Sequence, residues 1–91
     1  MIETTVRITN ELGLHARAAA KLVRLTGRFK SDIKFSRLNS DQQVDGKSIL
    51  GVLMLAASCG TDLRLQVSGD DEAEATQNIE ALFQERFGEA R

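Results

Sequence analysis

The chain has 91 residues and a formal net charge of -1. That length supports one small hydrophobic core, so a single domain spanning residues 1–91 is expected. The near-neutral charge argues against non-specific nucleic-acid binding, which needs a cationic excess, and four Phe with no Trp or Tyr offer few platforms for stacking RNA bases.

The lone cysteine, Cys59, cannot close an internal disulfide, and one His with one Cys makes a poor metal site. Cys59 is therefore expected as a reduced, packed thiol, and no metal or cofactor is expected. No apolar stretch reaches the roughly 18 residues of a membrane span. Met1–Thr5 lacks a basic segment leading into an apolar one, so a signal peptide is not expected and the chain is read as cytoplasmic.

Ile2, Thr4, Val6 and Ile8 alternate with Glu3, Thr5, Arg7 and Thr9, the period of a half-buried strand. Asn10–Leu14 reads as a loop. Ala16–Thr26 favours helix, with Ala19, Leu22, Val23 and Thr26 on one stripe and Gly27 placed to end it. Asp32–Arg37 alternates again, and a short hairpin partner is expected around Gln42–Asp45. Lys47–Ala57 reads as a short, unusually apolar helix interrupted by Gly51. Leu63, Leu65 and Val67 mark another strand within Asp62–Ser68. In the last helix Ala75, Ile79, Leu82, Phe83 and Phe87 share a face, acidic residues Asp70–Glu72 begin it, and Gly88 can close it. The order βαββαβα, with amphipathic helices and half-polar strands, implies an α+β fold: a mostly antiparallel sheet covered by helices on one face.

His15 is the only histidine, and it stands where the Gly13 loop meets the first helix. A helix start leaves backbone N–H groups without partners, and these can hold an anion. A neutral imidazole there can attack phosphorus, and the Arg17 guanidinium suits the charge spread over a transferring phosphoryl group. No Asp or Glu adjoins His15 in sequence, although Glu11 could approach through the loop. No Ser or Cys nucleophile is paired with it locally. The groups for accepting a phosphoryl are present, and those for activating water are not.

Gly13-Leu14-His15-Ala16-Arg17, followed by Ala19 and Leu22, resembles the phosphohistidine motif of the HPr family, phosphocarriers of the bacterial phosphoenolpyruvate-dependent phosphotransferase system. Lys47-Ser48-Ile49-Leu50-Gly51-Val52-Leu53 resembles the family's regulatory-serine segment. Gly60–Leu63 and Gly69–Asp71 resemble the approach to its last strand and the start of its final helix. The resemblance implies an open-faced β-sandwich with a four-stranded antiparallel sheet and three helices. It implies that His15 accepts a phosphoryl group on Nδ1 from an Enzyme I-type phosphoprotein and passes it to an Enzyme IIA-type acceptor. Arg17 and the backbone of Ala16, Arg17 and Ala18 would steady the group.

The same resemblance makes Ser48 a target of an HPr kinase/phosphorylase, whereas serine at a helix start is also an ordinary cap. A docking patch formed by Ile49, Leu50 and Leu53, rimmed by Arg17, Arg24 and Lys47, is expected beside His15, mostly on the strength of that resemblance. A monomer is the simplest expectation. Many members carry Pro where this chain has Ala18, so altered transfer kinetics are expected. Asn10–Leu14 is closer to the nitrogen-related branch. Two other classes compete: an acylphosphatase-like enzyme, whose phosphate loop has no counterpart between Thr4 and Ala20, and a regulatory adaptor acting mainly through Ser48.

Overall fold

The computed structural model describes Met1–Arg91. Its strands are β1 (Ile2–Arg7), β2 (Asp32–Arg37), β3 (Val44–Asp45) and β4 (Asp62–Ser68). The helices are α1 (Ala16–Thr26), α2 (Ile49–Met54) and α3 (Glu72–Gln84), and a single turn, Arg86–Gly88, follows α3. The four strands form one antiparallel sheet in the order β1-β4-β2-β3. The connection through α1 therefore places β4 between β1 and β2, while that through α2 places β2 between β3 and β4. This is the expected open-faced sandwich.

Period-two alternation decides which face of the sheet is covered. The register aligns Ile2, Val67 and Ile33 across three strands, and likewise Thr4, Leu65 and Phe35. Ile33, Phe35, Leu63, Leu65 and Val67 are buried there beneath Leu22, Ala75, Ile79 and Phe83 of the helices. The opposite face carries polar pairs such as Arg7–Asp62 and Glu3–Gln66.

Several boundaries differ from expectation. The hairpin partner shrinks to two residues, Val44–Asp45. Helix α2 stops at Met54, because Ala56 takes a left-handed conformation (φ +49°) that no longer continues the helix. Helix α3 stops at Gln84. Phe87 still reaches the core, but from left-handed backbone: Arg86, Phe87 and Gly88 have φ of +57°, +55° and +78°. Gly27 caps α1 in right-handed conformation (φ -64°), so its freedom as glycine is not what ends that helix. Cys59 is exposed, not packed, because it lies in the turn before β4.

Candidate functional site

The loop before α1 is fixed by its backbone. Gly13 has φ +70°, and a Cβ there would lie 2.7 Å from the Ala57 carbonyl oxygen and 2.9 Å from Ser58 Cα. The next residue, Leu14, donates its N–H to that same Ala57 oxygen at 2.9 Å and buries its side chain. The chain therefore turns tightly and delivers His15 in extended conformation (φ -75°, ψ 177°) as the N-cap of α1.

His15 caps with both backbone and ring. Its carbonyl accepts the Ala19 N–H at 2.9 Å, and Nδ1 accepts the Arg17 N–H at 3.3 Å. The N–H groups of Ala16 and Ala18 have no protein acceptor, as expected for a first helical turn. The other ring nitrogen, Nε2, meets Oε2 of Glu89. One tautomer satisfies both contacts: Nε2 carries the proton and donates to Glu89, while Nδ1 presents its lone pair toward the helix.

Glu89 corrects the expectation that no carboxylate flanks the histidine except through Glu11. Glu11 is exposed, and its charged neighbour is Arg91 at 3.9 Å. Glu89 is instead held by Asn10, a buried residue whose Nδ2 donates to Glu89 Oε1 at 3.0 Å and to the Gly13 carbonyl at 2.7 Å. The Asn10 amide, followed by the His15 ring and the charge of Lys21, holds the Glu89 carboxyl below the usual glutamate range, against the opposing effect of burial.

These residues border an open cleft of about 670 Å³, lined by Leu12, His15, Arg17, Lys21, Glu89 and Arg91 among others. Arg17 is exposed and takes part in none of the ion pairs, so its guanidinium is free for an anion. Lys21, four residues along α1, lies on the same side and donates to the Phe87 carbonyl at 2.7 Å. Lys21 was missed in the sequence, where its i+4 spacing from Arg17 was the signal that could have found it.

The other expected site residues are dispersed. Arg24 is exposed in a neighbouring groove with Lys21, Leu25, Arg28 and Leu82. Lys47 does not line the cleft, and its ammonium donates to the Phe29 carbonyl at 2.7 Å. Ser48 is the N-cap of α2, accepting the Gly51 N–H at 3.2 Å. Ile49 and Leu50 are 40% and 71% exposed, whereas Leu53 packs partly against the core and contributes less to the surface. Of the other exposed apolar side chains, Leu12 at 72% lines the cleft and Met54 at 70% ends α2, and the expected patch included neither. No group of three or more His, Cys, Asp or Glu side chains comes together as a metal site, and no helix is long and apolar enough to cross a membrane.

Neither ring contact of His15 is a hydroxyl or a thiol. Fold and site define a small α+β domain that presents a single histidine as the cap of its first helix, beside an exposed arginine. Comparison with known proteins gives the family. The family model "PTS HPr component phosphorylation site" matches residues 2–85. Phosphocarrier protein HPr of Cupriavidus necator is 51% identical over 89 residues, covering 98% of each chain. That of Xylella fastidiosa is 46% identical with the same coverage. The crystal structure of HPr-C-His from Thermoanaerobacter tengcongensis superposes with a TM-score of 0.93 at 40% identity, covering 100% of both chains. The chain belongs to the HPr family, the phosphocarriers of the phosphotransferase system.

Proposed function

We propose that this chain relays a phosphoryl group on Nδ1 of His15, taking it from a phosphorylated Enzyme I-type protein and giving it to an Enzyme IIA-type protein. The observation that carries this reading is the orientation of Nδ1, 3.3 Å from the Arg17 N–H at the start of α1 and bordering an open cleft. The Nδ1 lone pair forms a bond to phosphorus as the bond from phosphorus to the donor's leaving atom breaks, the donor keeping that electron pair. In the onward step the acceptor's nitrogen attacks phosphorus, the P–N bond breaks, and its electron pair returns to Nδ1. The Arg17 guanidinium and the N–H groups of Ala16, Arg17 and Ala18 steady the phosphoryl oxygens. A carrier that must release its load gains nothing from binding it very tightly, and a histidine at the edge of an open cleft suits that need.

Docking falls to the exposed apolar residues Leu12, Ile49, Leu50 and Met54, with a smaller part from Leu53. Arg17, Lys21 and Arg24 favour an acidic partner surface, with Lys47 placed farther from the cleft. Ser48 is a regulatory position for an HPr kinase/phosphorylase: a phosphate at the start of α2 is locally tolerable, yet its charge opposes an acidic partner. The carrier works as a monomeric single domain in the cytoplasm.

Incubation with labelled phosphoenolpyruvate and Enzyme I tests the central step. Label is expected on His15 of the natural chain and absent from His15→Ala, with amide NMR showing the fold retained. Labelling of the alanine variant would defeat the assignment.

A further inference from the structure

The relay just proposed uses Nδ1 and leaves the other face of the imidazole unexplained. That face is occupied by Glu89, 74 residues away in sequence and outside the residues matched by the family model. Several elements converge to place this one carboxylate. Phe87 is fully buried and meets Phe83 edge-on at 4.9 Å, which anchors the segment in the core. Lys21 of α1 grips the Phe87 carbonyl at 2.7 Å. The chain reaches this position through left-handed backbone at Arg86 and Phe87, two non-glycine residues for which that conformation is costly.

Asn10 completes the arrangement. Both hydrogen bonds from its Nδ2 go to the site, one to Gly13 O and one to Glu89 Oε1. Its Oδ1 is the buried side-chain polar atom left without a partner. Turning the amide over would set that oxygen against two acceptors, so the orphaned atom follows from holding Glu89. A buried amide kept half-satisfied and a strained turn are costs that surface attachment of a terminal segment does not require. His15 and Glu89 are themselves largely covered, with side chains 28% and 16% exposed.

From this convergence we infer that Glu89 is a positioning residue for phosphoryl transfer, acting through His15 and oriented by Asn10. Its carboxylate accepts the Nε2–H, which keeps the proton on Nε2 and the lone pair on Nδ1. As Nδ1 bonds to phosphorus the ring acquires positive charge, and the carboxylate opposite stabilises it. When the phosphoryl leaves, the electron pair returns to Nδ1 and the proton stays on Nε2 throughout. The inference rests on the His15 relay. Its logic is that of any carboxylate that orients a reacting imidazole without touching the group transferred.

The test pairs NMR with rapid-quench labelling of the natural chain, Glu89→Gln and Glu89→Ala. In the natural chain the Nε2-bound proton is expected as a slowly exchanging, downfield resonance, and Glu89→Ala removes it. Label uptake from phosphoenolpyruvate and Enzyme I is expected to slow about ten- to a hundredfold in Glu89→Ala, the range for losing a hydrogen bond to a charged group. Glu89→Gln, which keeps an acceptor but not the charge, is expected to fall between. A proton signal unaffected by Glu89→Ala, or uptake rates equal in all three proteins, overturns the positioning role. Absence of label from His15 in the natural chain defeats the relay itself, an outcome distinct from a labelled natural chain with indifferent variants.

Discussion

His15 ends one structure and begins another: its carbonyl and its Nδ1 both serve as helix caps. The residue type and its neighbours were legible from the sequence, because Gly, His and Arg at this spacing have a local rationale. Arg17 follows the same logic, since the exposed guanidinium two residues into the helix has no competing carboxylate. Arg17→Ala is expected to slow phosphoryl uptake about tenfold or more, as loss of one charge-assisted contact predicts. Quench-flow labelling checks this, and an unchanged rate would mean that the backbone amides alone suffice. Glu89 was not legible, because nothing in local sequence announces a partner 74 residues away.

At the scale of elements, the helix start depends on the loop that feeds it. Gly13 combines φ +70° with a Cβ position 2.7 Å from Ala57 O. Gly13→Ala is therefore expected to destabilise the fold by about 3 kcal/mol, from left-handed backbone strain plus overpacking. Urea unfolding measures the change, and the His15 ring resonances should shift with it. Helix α2 poses a different question, because Ser48 is both its cap and the proposed regulatory position. Ser48→Asp keeps a capping oxygen, so α2 should persist. The added charge is expected to weaken Enzyme I binding about tenfold by calorimetry, through repulsion of an acidic surface. Equal affinity would remove the charge argument. The sequence located α2 but overran both ends, since Ser48 caps it from outside and the backbone turns left-handed at Ala56, ahead of the buried Ala57.

Across the whole molecule, Asp71 joins the start of α3 to the loop before β2. Its carboxylate accepts the Lys30 and Ser31 N–H groups at 2.8 and 3.0 Å, as well as the Ser31 hydroxyl. The Ser31 hydroxyl first, and then the Lys30 N–H, hold its carboxyl below the usual aspartate range. A depressed carboxyl contributes stability that is fully present above the unfolded-chain value of about 4 and is lost as pH falls through the lower folded value. Asp71→Asn should therefore lower the melting temperature at neutral pH and flatten its decline in acid. Parallel melting curves for the two proteins would expose the error if both declined alike.

The sequence alone determined the alternation of β1, β2 and β4, the bounds of α1, the sheet-and-helix class and the motif around His15. Each of these is written in spacing along a few adjacent residues, where backbone period and side-chain type act together. Only the tertiary structure decided which carboxylate meets Nε2, that Asn10 holds it, that Lys47 turns to Phe29 O, and that Leu12 and Met54 stand exposed. Those contacts depend on how distant segments come to rest once the core closes, and no local period encodes the distance between segments that only folding brings together.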